Sequence, residues 1–219
     1  MTATVLSTER LTLRGWRESD RSAFHAMNSD PRVMATIGPV MSRAQSDAYM
    51  NRILQHFADH GFGVWCVELR DEPVGYTGFM VPWFRDGVEI GWRVRSDYWG
   101  HGIAPEAAQE CLRHGFGDLG FEEIISFTAA TNANSRRVMD KIGLQHDATG
   151  DFDHPSVPAG SPLGPHVLYR LTRTEWLTGV GGRRSGIPPE RFDGRPPVRR
   201  SPRAAIAGGR DRISDTRPR

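Results

Sequence analysis

The chain has little cysteine, a single lysine and no long apolar run, and each scarcity removes a class of protein. Two cysteines in 219 residues, Cys66 and Cys111, cannot build a disulfide framework, and neither falls in a CxxC or Cys/His metal spacing. Both read as buried thiols of a reducing compartment. No apolar stretch approaches the ~20 residues that cross a bilayer, and Met1 to Arg10 lacks the apolar core of a signal peptide. A cytoplasmic protein with no membrane partner is expected. Lys141 is the only lysine and the other basic side chains are arginine; no mechanism follows from that bias.

At 38% hydrophobic and 25% charged residues, the chain suits one water-soluble domain with a polar appendage. The appendage shows in the charge. From Gly179 onward stand 11 arginines against Glu190, Asp193, Asp211 and Asp215, so this stretch carries +7 of the formal +2 and leaves −5 on the rest. Rich in Gly, Pro and Arg and without hydrophobic periodicity, 179–219 reads as a disordered tail behind a domain at 1–178. Weak charge-driven contact with nucleic acid is open to such a tail, though a solvated extension is the favoured reading.

Within the domain, alternation at Leu11 to Trp16 predicts a first strand leading into an acidic turn at Glu18 to Asp20, followed by a short helix. Ser42 with Gln45 forms a capping box for a second helix that carries Met50, Ile53, Leu54 and Phe57 on one stripe and ends at Gly61. Strands are expected at Gly63 to Leu69 and Val74 to Val81, paired around Asp71-Glu72-Pro73, and at Val88 to Arg95. In the last of these, Val88, Ile90, Trp92 and Val94 point one way while Glu89, Gly91, Arg93 and Arg95 point the other. A helix opening near Pro105, a strand at Ile124 to Thr128, a helix on Ser135, Val138, Met139 and Ile142 closed by Gly143, and a strand near Leu144 come next. A polar loop from Asp147 to Pro165 and a last strand at His166 to Thr172 complete an α/β sheet.

Chemistry concentrates at the turn Trp99-Gly100-His101-Gly102-Ile103-Ala104, whose small residues leave N–H groups exposed at the positive end of a helix, an anion site. A Gly-x-Gly turn alone is unspecific. No Gly-Lys-Ser/Thr follows, which excludes a P-loop, and the third glycine and later acid of a dinucleotide fold are missing.

The blocks EIGWRVRSDYWGHGIAPEAA and TNANSRRVMDKIGL, with TERLTLRGWRESD and DPRVM ahead of them, resemble GNAT N-acetyltransferases, most closely the RimJ/RimL-like branch. The resemblance spans Thr8 to Leu177. It implies a mixed, mostly antiparallel sheet with a central splayed strand, flanked by helices on both faces. It also implies acetyl-CoA as co-substrate, with a primary amine as acceptor on a protein N-terminus or a small molecule. In the family's Q/R-x-x-G-x-G/A turn, Trp99 stands at the first position and departs from the pattern.

By the same resemblance, the backbone of Trp92, Arg93 and Val94 pairs with the pantetheine arm, and the Val94 N–H stabilises the oxyanion formed when the amine attacks. The turn from Trp99 to Ala104, with Asn132 and Ser135, contacts the cofactor. Glu89 is the candidate base, or else the partner of an arginine on the same sheet face. Ser135 is the candidate acid for the departing thiolate, or else a helix cap. Asn132 is a cofactor contact or a turn former. The tyrosine that many relatives use one turn beyond is here Met139. Asp153 and His154 border the acceptor pocket or simply lie in a solvated loop, and Trp83, with Phe84 and Arg85, lines the acceptor cleft or packs locally. His146, Asp147, Asp151, Asp153 and His154 match no ligand spacing, so no metal is assigned. Direct transfer in a ternary complex is expected, by a monomer or homodimer. The alternative is a non-catalytic acyl-CoA-binding module.

Overall fold

A computed structural model describes residues 3–179. Strands β1 (Leu6–Ser7) and β2 (Leu11–Arg14) lead through a 3-10 turn at Glu18–Asp20 into helices α1 (Arg21–Asn28), α2 (Pro31–Met34) and α3 (Arg43–His60). Then come β3 (Val64–Leu69), β4 (Glu72–Met80), β5 (Glu89–Val94), α4 (Ile103–Gly117), β6 (Glu123–Ala129) and α5 (Ala133–Lys141). Short strands β7 (Gln145–His146) and β8 (Phe152–Asp153), strand β9 (Pro165–Thr172) and helix α6 (Arg173–Thr178) finish the domain. The sheet runs β1-β2-β3-β4-β5-β6-β9-β7, with β8 on β9. Every pairing is antiparallel except β5 with β6.

Alternating side chains give the sheet two buried faces. On one, Trp65, Phe79, Ile90 and Tyr169 meet Ala108, Leu112 and Phe116 of α4 and Met139 of α5. On the other, Val64 and Tyr76 meet Phe24 and Met27 of α1, Val33 of α2, and Met50 and Ile53 of α3. The expected fold class is therefore the one observed.

Local signals hold where they are local. Ser42 and Gln45 form the reciprocal capping box, Gly61 closes α3 at φ 75°, and Gly143 follows α5 at φ 90°. Other expectations need correction. The β3–β4 turn is Arg70-Asp71, both at positive φ (52° and 64°), as a two-residue hairpin of right-handed twist demands; Glu72 and Pro73 already belong to β4. Pro73 is tolerated there because the ladder shifts register between Val67 and Glu68. Leu54 is 40% exposed, since His56 rather than Leu54 turns inward from α3. The 147–165 stretch is not a plain loop: a 3-10 turn at Ala148–Gly150 and β8 lie within it. Strand β1 and helices α2 and α6 escaped the sequence reading, α6 despite its Thr172–Glu175 capping box. The disordered tail expected over 179–219 lies outside the described residues apart from Gly179, and no helix among those residues is long and apolar enough to cross a membrane.

Candidate active site

Strands β5 and β6 meet at one register pair, Glu89 with Ile125. The Ile125 N–H donates to Val88 O at 2.9 Å and Ser126 Oγ donates to Ile90 O at 2.8 Å. Beyond that point the strands part. Backbone polarity alternates along a strand: Gly91 O accepts from Thr77 Oγ1 on β4 (3.0 Å), and the Arg95 N–H donates to Val74 O (2.9 Å). The odd-numbered residues thus turn their backbone to β4 and the even-numbered ones toward β6. Past the parting, Trp92 and Val94 present theirs to an open cleft. Trp99 then closes part of it, its indole N–H donating to Val94 O at 2.9 Å.

The cleft opens into a cavity of about 830 Å³, within the range of small-molecule sites. Gly100, Gly102, Ile103 and Ala104 line one end. Gly100 (φ 82°) and Gly102 (φ 74°) occupy the left-handed region, so glycine is needed for the backbone path; a Cβ at Gly100 would meet nothing. Gly102 caps α4, whose first-turn amides face this end. Glu106 in that turn would repel an anion, but Arg10 holds it at 2.5 and 2.8 Å and Thr8 donates to it at 2.6 Å. Arg10 also donates to His101 O, tying the β1–β2 connection to the turn. Arg137 and Lys141, one turn apart on α5, line the same cavity. Sequence reasoning missed both, although their i,i+4 spacing after Asn132 was the available signal.

Glu89, Asn132 and Ser135 all reach the cavity. Glu89 is half-buried in area yet ringed by protein, and desolvation pushes its carboxyl up to about 8. Among the described residues it pairs with no arginine. Asn132, not Ser135, caps α5: Asn132 Oδ1 accepts the Ser135 N–H at 3.1 Å, and its Nδ2 donates to Thr128 Oγ1 at 3.0 Å. The Ser135 hydroxyl has no capping duty. Met139 is 1% exposed and sits in the core.

Other expected residues are not gathered there. Trp83 is 76% exposed and packs on Phe84, and Asp153 is exposed on β8; neither lines the cavity. His154 does line it, among Phe84, Phe127 and His166, with burial and the neighbouring His166 holding its pKa below the ordinary value. The His101 side chain is outside the lining. Arg93 reaches the cavity by the opposite face of β5, its backbone paired with Tyr76 of β4 and its side chain among α1 and α3. Both cysteines are buried, and burial pushes the Cys66 thiol up to about 12, which suits neither to nucleophilic attack. His146 is bonded to Asp151 and Asp147 to Arg170, so the acidic stretch is locally engaged.

Residues 10–145 match the acetyltransferase (GNAT) domain family. FsC-acetyl coenzyme A-N(2)-transacetylase of Aspergillus fumigatus is 34% identical over 184 residues, 79% of this chain and 78% of that protein. Among solved structures, a GNAT-family acetyltransferase from Bacillus anthracis aligns with a TM-score of 0.66 at 28% identity, covering 78% of this chain and 100% of its own. The RimL ribosomal L7/L12 α-N-protein acetyltransferase in complex with coenzyme A shares the fold, with a TM-score of 0.65 at 15% identity, over 77% of this chain and 98% of its own.

Proposed function

The chain belongs to the GNAT acetyltransferase family and is an acetyl-CoA-dependent N-acetyltransferase, and from that premise we propose that a primary amine attacks acetyl-CoA directly within the β5–β6 cleft. The observation that carries this reading is the parting of β5 from β6 with the Gly100–Gly102 turn at its end. The backbone of Trp92 and the Val94 N–H, left unpaired by β6, suit an extended pantetheine arm, and the first-turn amides of α4 with Arg137 and Lys141 suit its phosphates. Acetyl-CoA supplies an activated acyl group; the chain supplies position and proton transfer.

Three groups carry the chemistry. The Val94 N–H, turned into the cleft, stabilises charge developing on the thioester carbonyl oxygen. Glu89 takes the proton of the incoming ammonium, directly or through water, and its raised pKa makes it a stronger base than an ordinary carboxylate. Ser135 gives a proton to the departing thiolate. Trp83 and Asp153 stay outside this scheme, while His154 borders the acceptor end. The acceptor is a protein N-terminal α-amine or a small-molecule amine, the enzyme a monomer or homodimer without a metal.

Calorimetric titration with acetyl-CoA, followed by thiol release against a panel of amines and N-terminal peptides, tests the proposal. Failure to bind acetyl-CoA would overturn it. Binding without thiol release would mark a non-catalytic acyl-CoA-binding module. Glu89→Gln is expected to lower kcat/KM about 100- to 10,000-fold, the usual range for loss of a general base, with acetyl-CoA affinity retained.

A further inference from the structure

Among the described residues, Arg93 is a cation buried without an anion. Its residue is 7% exposed, and its contacts are all neutral: Nη1 donates to Asn28 Oδ1, and the guanidinium lies 5.3 Å from the Tyr76 ring centre and 5.9 Å from that of Tyr49. Nε is enclosed and donates to nothing among the described residues. Charge in such a place is costly unless paired, and a guanidinium, unlike an amine, does not shed its charge by losing a proton. Cation–π contact offsets only part of that cost.

The same side chain lines the cavity, with Tyr49, Tyr76, Glu89 and Gly91. Glu89, Gly91 and Arg93 occupy one face of β5, with roughly 13 Å between the first and last Cα at strand rise. Gly91 between them has ordinary backbone angles, and a Cβ added to it would meet only Glu89 Oε1, at 3.9 Å. A slot therefore runs along the strand, with a carboxyl at one end and an unmatched guanidinium at the other.

We infer that Arg93 recognises a carboxylate on the acceptor, so that the substrate is a primary amine that also bears a carboxylate: the amine faces the thioester within reach of Glu89, directly or through water, and the carboxylate meets Arg93. The source is either a free aminocarboxylate or an acidic residue following a protein N-terminus. The inference rests on the transferase reading but names its acceptor class.

The test uses matched pairs: ω-aminocarboxylates of increasing length against their carboxamides, and peptides with aspartate against asparagine after the N-terminal residue. Wild type is expected to favour the carboxylate at least tenfold in kcat/KM, with the pair that shows it naming the source, and Arg93→Gln should collapse that ratio toward one. Equal rates within every pair, or a preference that survives Arg93→Gln, overturns the inference. Gly91→Val, which fills the slot without a backbone clash, keeps the test open should Arg93→Gln misfold. A loss at least tenfold greater on aminocarboxylates than on their carboxamides, at unchanged acetyl-CoA affinity, is expected, and an equal loss on both or an undiminished rate overturns the slot. If no amine is acetylated at all, the transferase reading fails by itself; calorimetry with glutarate on the CoA-loaded protein still reads the subsite, binding to wild type but not to Arg93→Gln supporting it and no binding to wild type overturning it.

Discussion

One row of residues crosses the sheet from its closed edge to its open cleft: Arg14 on β2 pairs in register with Cys66, Cys66 with Tyr76, and Tyr76 with Arg93. The two arginines at the ends are equally hidden, 6% and 7% exposed. Their surroundings differ. Arg14 holds Asp20 at 2.7 and 3.0 Å, Glu68 at 2.5 Å and the Gly15 carbonyl at 2.9 Å. Burial works against its charge, but the bonds from Asp20 and Glu68 outweigh burial and its pKa is raised. Arg93 has an amide and two rings. The closed end spends its charges on itself. Among the described residues the open end leaves two groups without an ion-pair partner, Arg93 and Glu89, and an unmatched charge beside a cavity is a request for a ligand.

The largest effect that separates the two ends is expected from Arg14→Met. It leaves the buried carboxylates of Asp20 and Glu68 with only the Arg17 backbone N–H (2.7 Å to Asp20) and the mostly exposed Arg17 guanidinium (3.7 Å from Glu68), a loss of about 3–5 kcal/mol, read as a fall in denaturant midpoint with acetyl-CoA affinity of the surviving folded protein unchanged. A mild loss would mean that the closed end is less dependent on its ion cluster than the geometry requires. Glu89 comes next. Its folded carboxyl titrates at about 8 against 4.5 unperturbed, so the folded state binds a proton that the unfolded state has released. The cost of ionising it is absent below about 4.5, grows through the interval, and is complete above about 8. Between pH 5 and 9 wild type should therefore lose stability relative to Glu89→Gln by about 2 kcal/mol, under the ceiling such a shift sets because the side chain is only half-buried. Acetylation by wild type should rise over the same limb as the base ionises. Parallel stability profiles for the two proteins would remove Glu89 from the unmatched pair.

How much of this contrast was legible in the sequence depends on how far each signal reaches. Period-two alternation over Val88 to Arg95 already set Glu89, Gly91 and Arg93 on one face, as found, because a strand's pleat is local. The glycines of the turn and the Ser42–Gln45 box are local too. Arg93's isolation is not local. It follows from the register of four strands and from where Asp20 and Glu68 fall, at the far end of the row. For the same reason an arginine partner for Glu89 remained open from sequence, whereas the structure sends Arg93 to Asn28. The hairpin turn was misread because Arg70 and Asp71, not a glycine, take positive φ. Ser135 and Asn132 compete for one cap, and only the backbone of α5 decides for Asn132.

The smallest expected effect discriminates most. Arg93→Met removes the donor from Asn28 Oδ1, and a buried carbonyl left without a partner costs about 1–3 kcal/mol; Asn28 Nδ2 keeps its bond to Ser46 Oγ at 3.0 Å. Against that loss stands the release of a buried charge that no anion compensates, and methionine is flexible enough to lie between the rings of Tyr49 and Tyr76. The two contributions oppose each other, so the net change in stability should fall within about 1 kcal/mol of zero. In the same denaturation series Arg14→Met loses several times more. If the two arginines prove equally costly to remove, Arg93 is held for the fold, and its neutral surroundings say nothing about a ligand. If Arg93→Met unfolds near the wild-type midpoint, the fold does not need that charge, and the reason for burying a guanidinium beside the cavity lies in what the cavity binds.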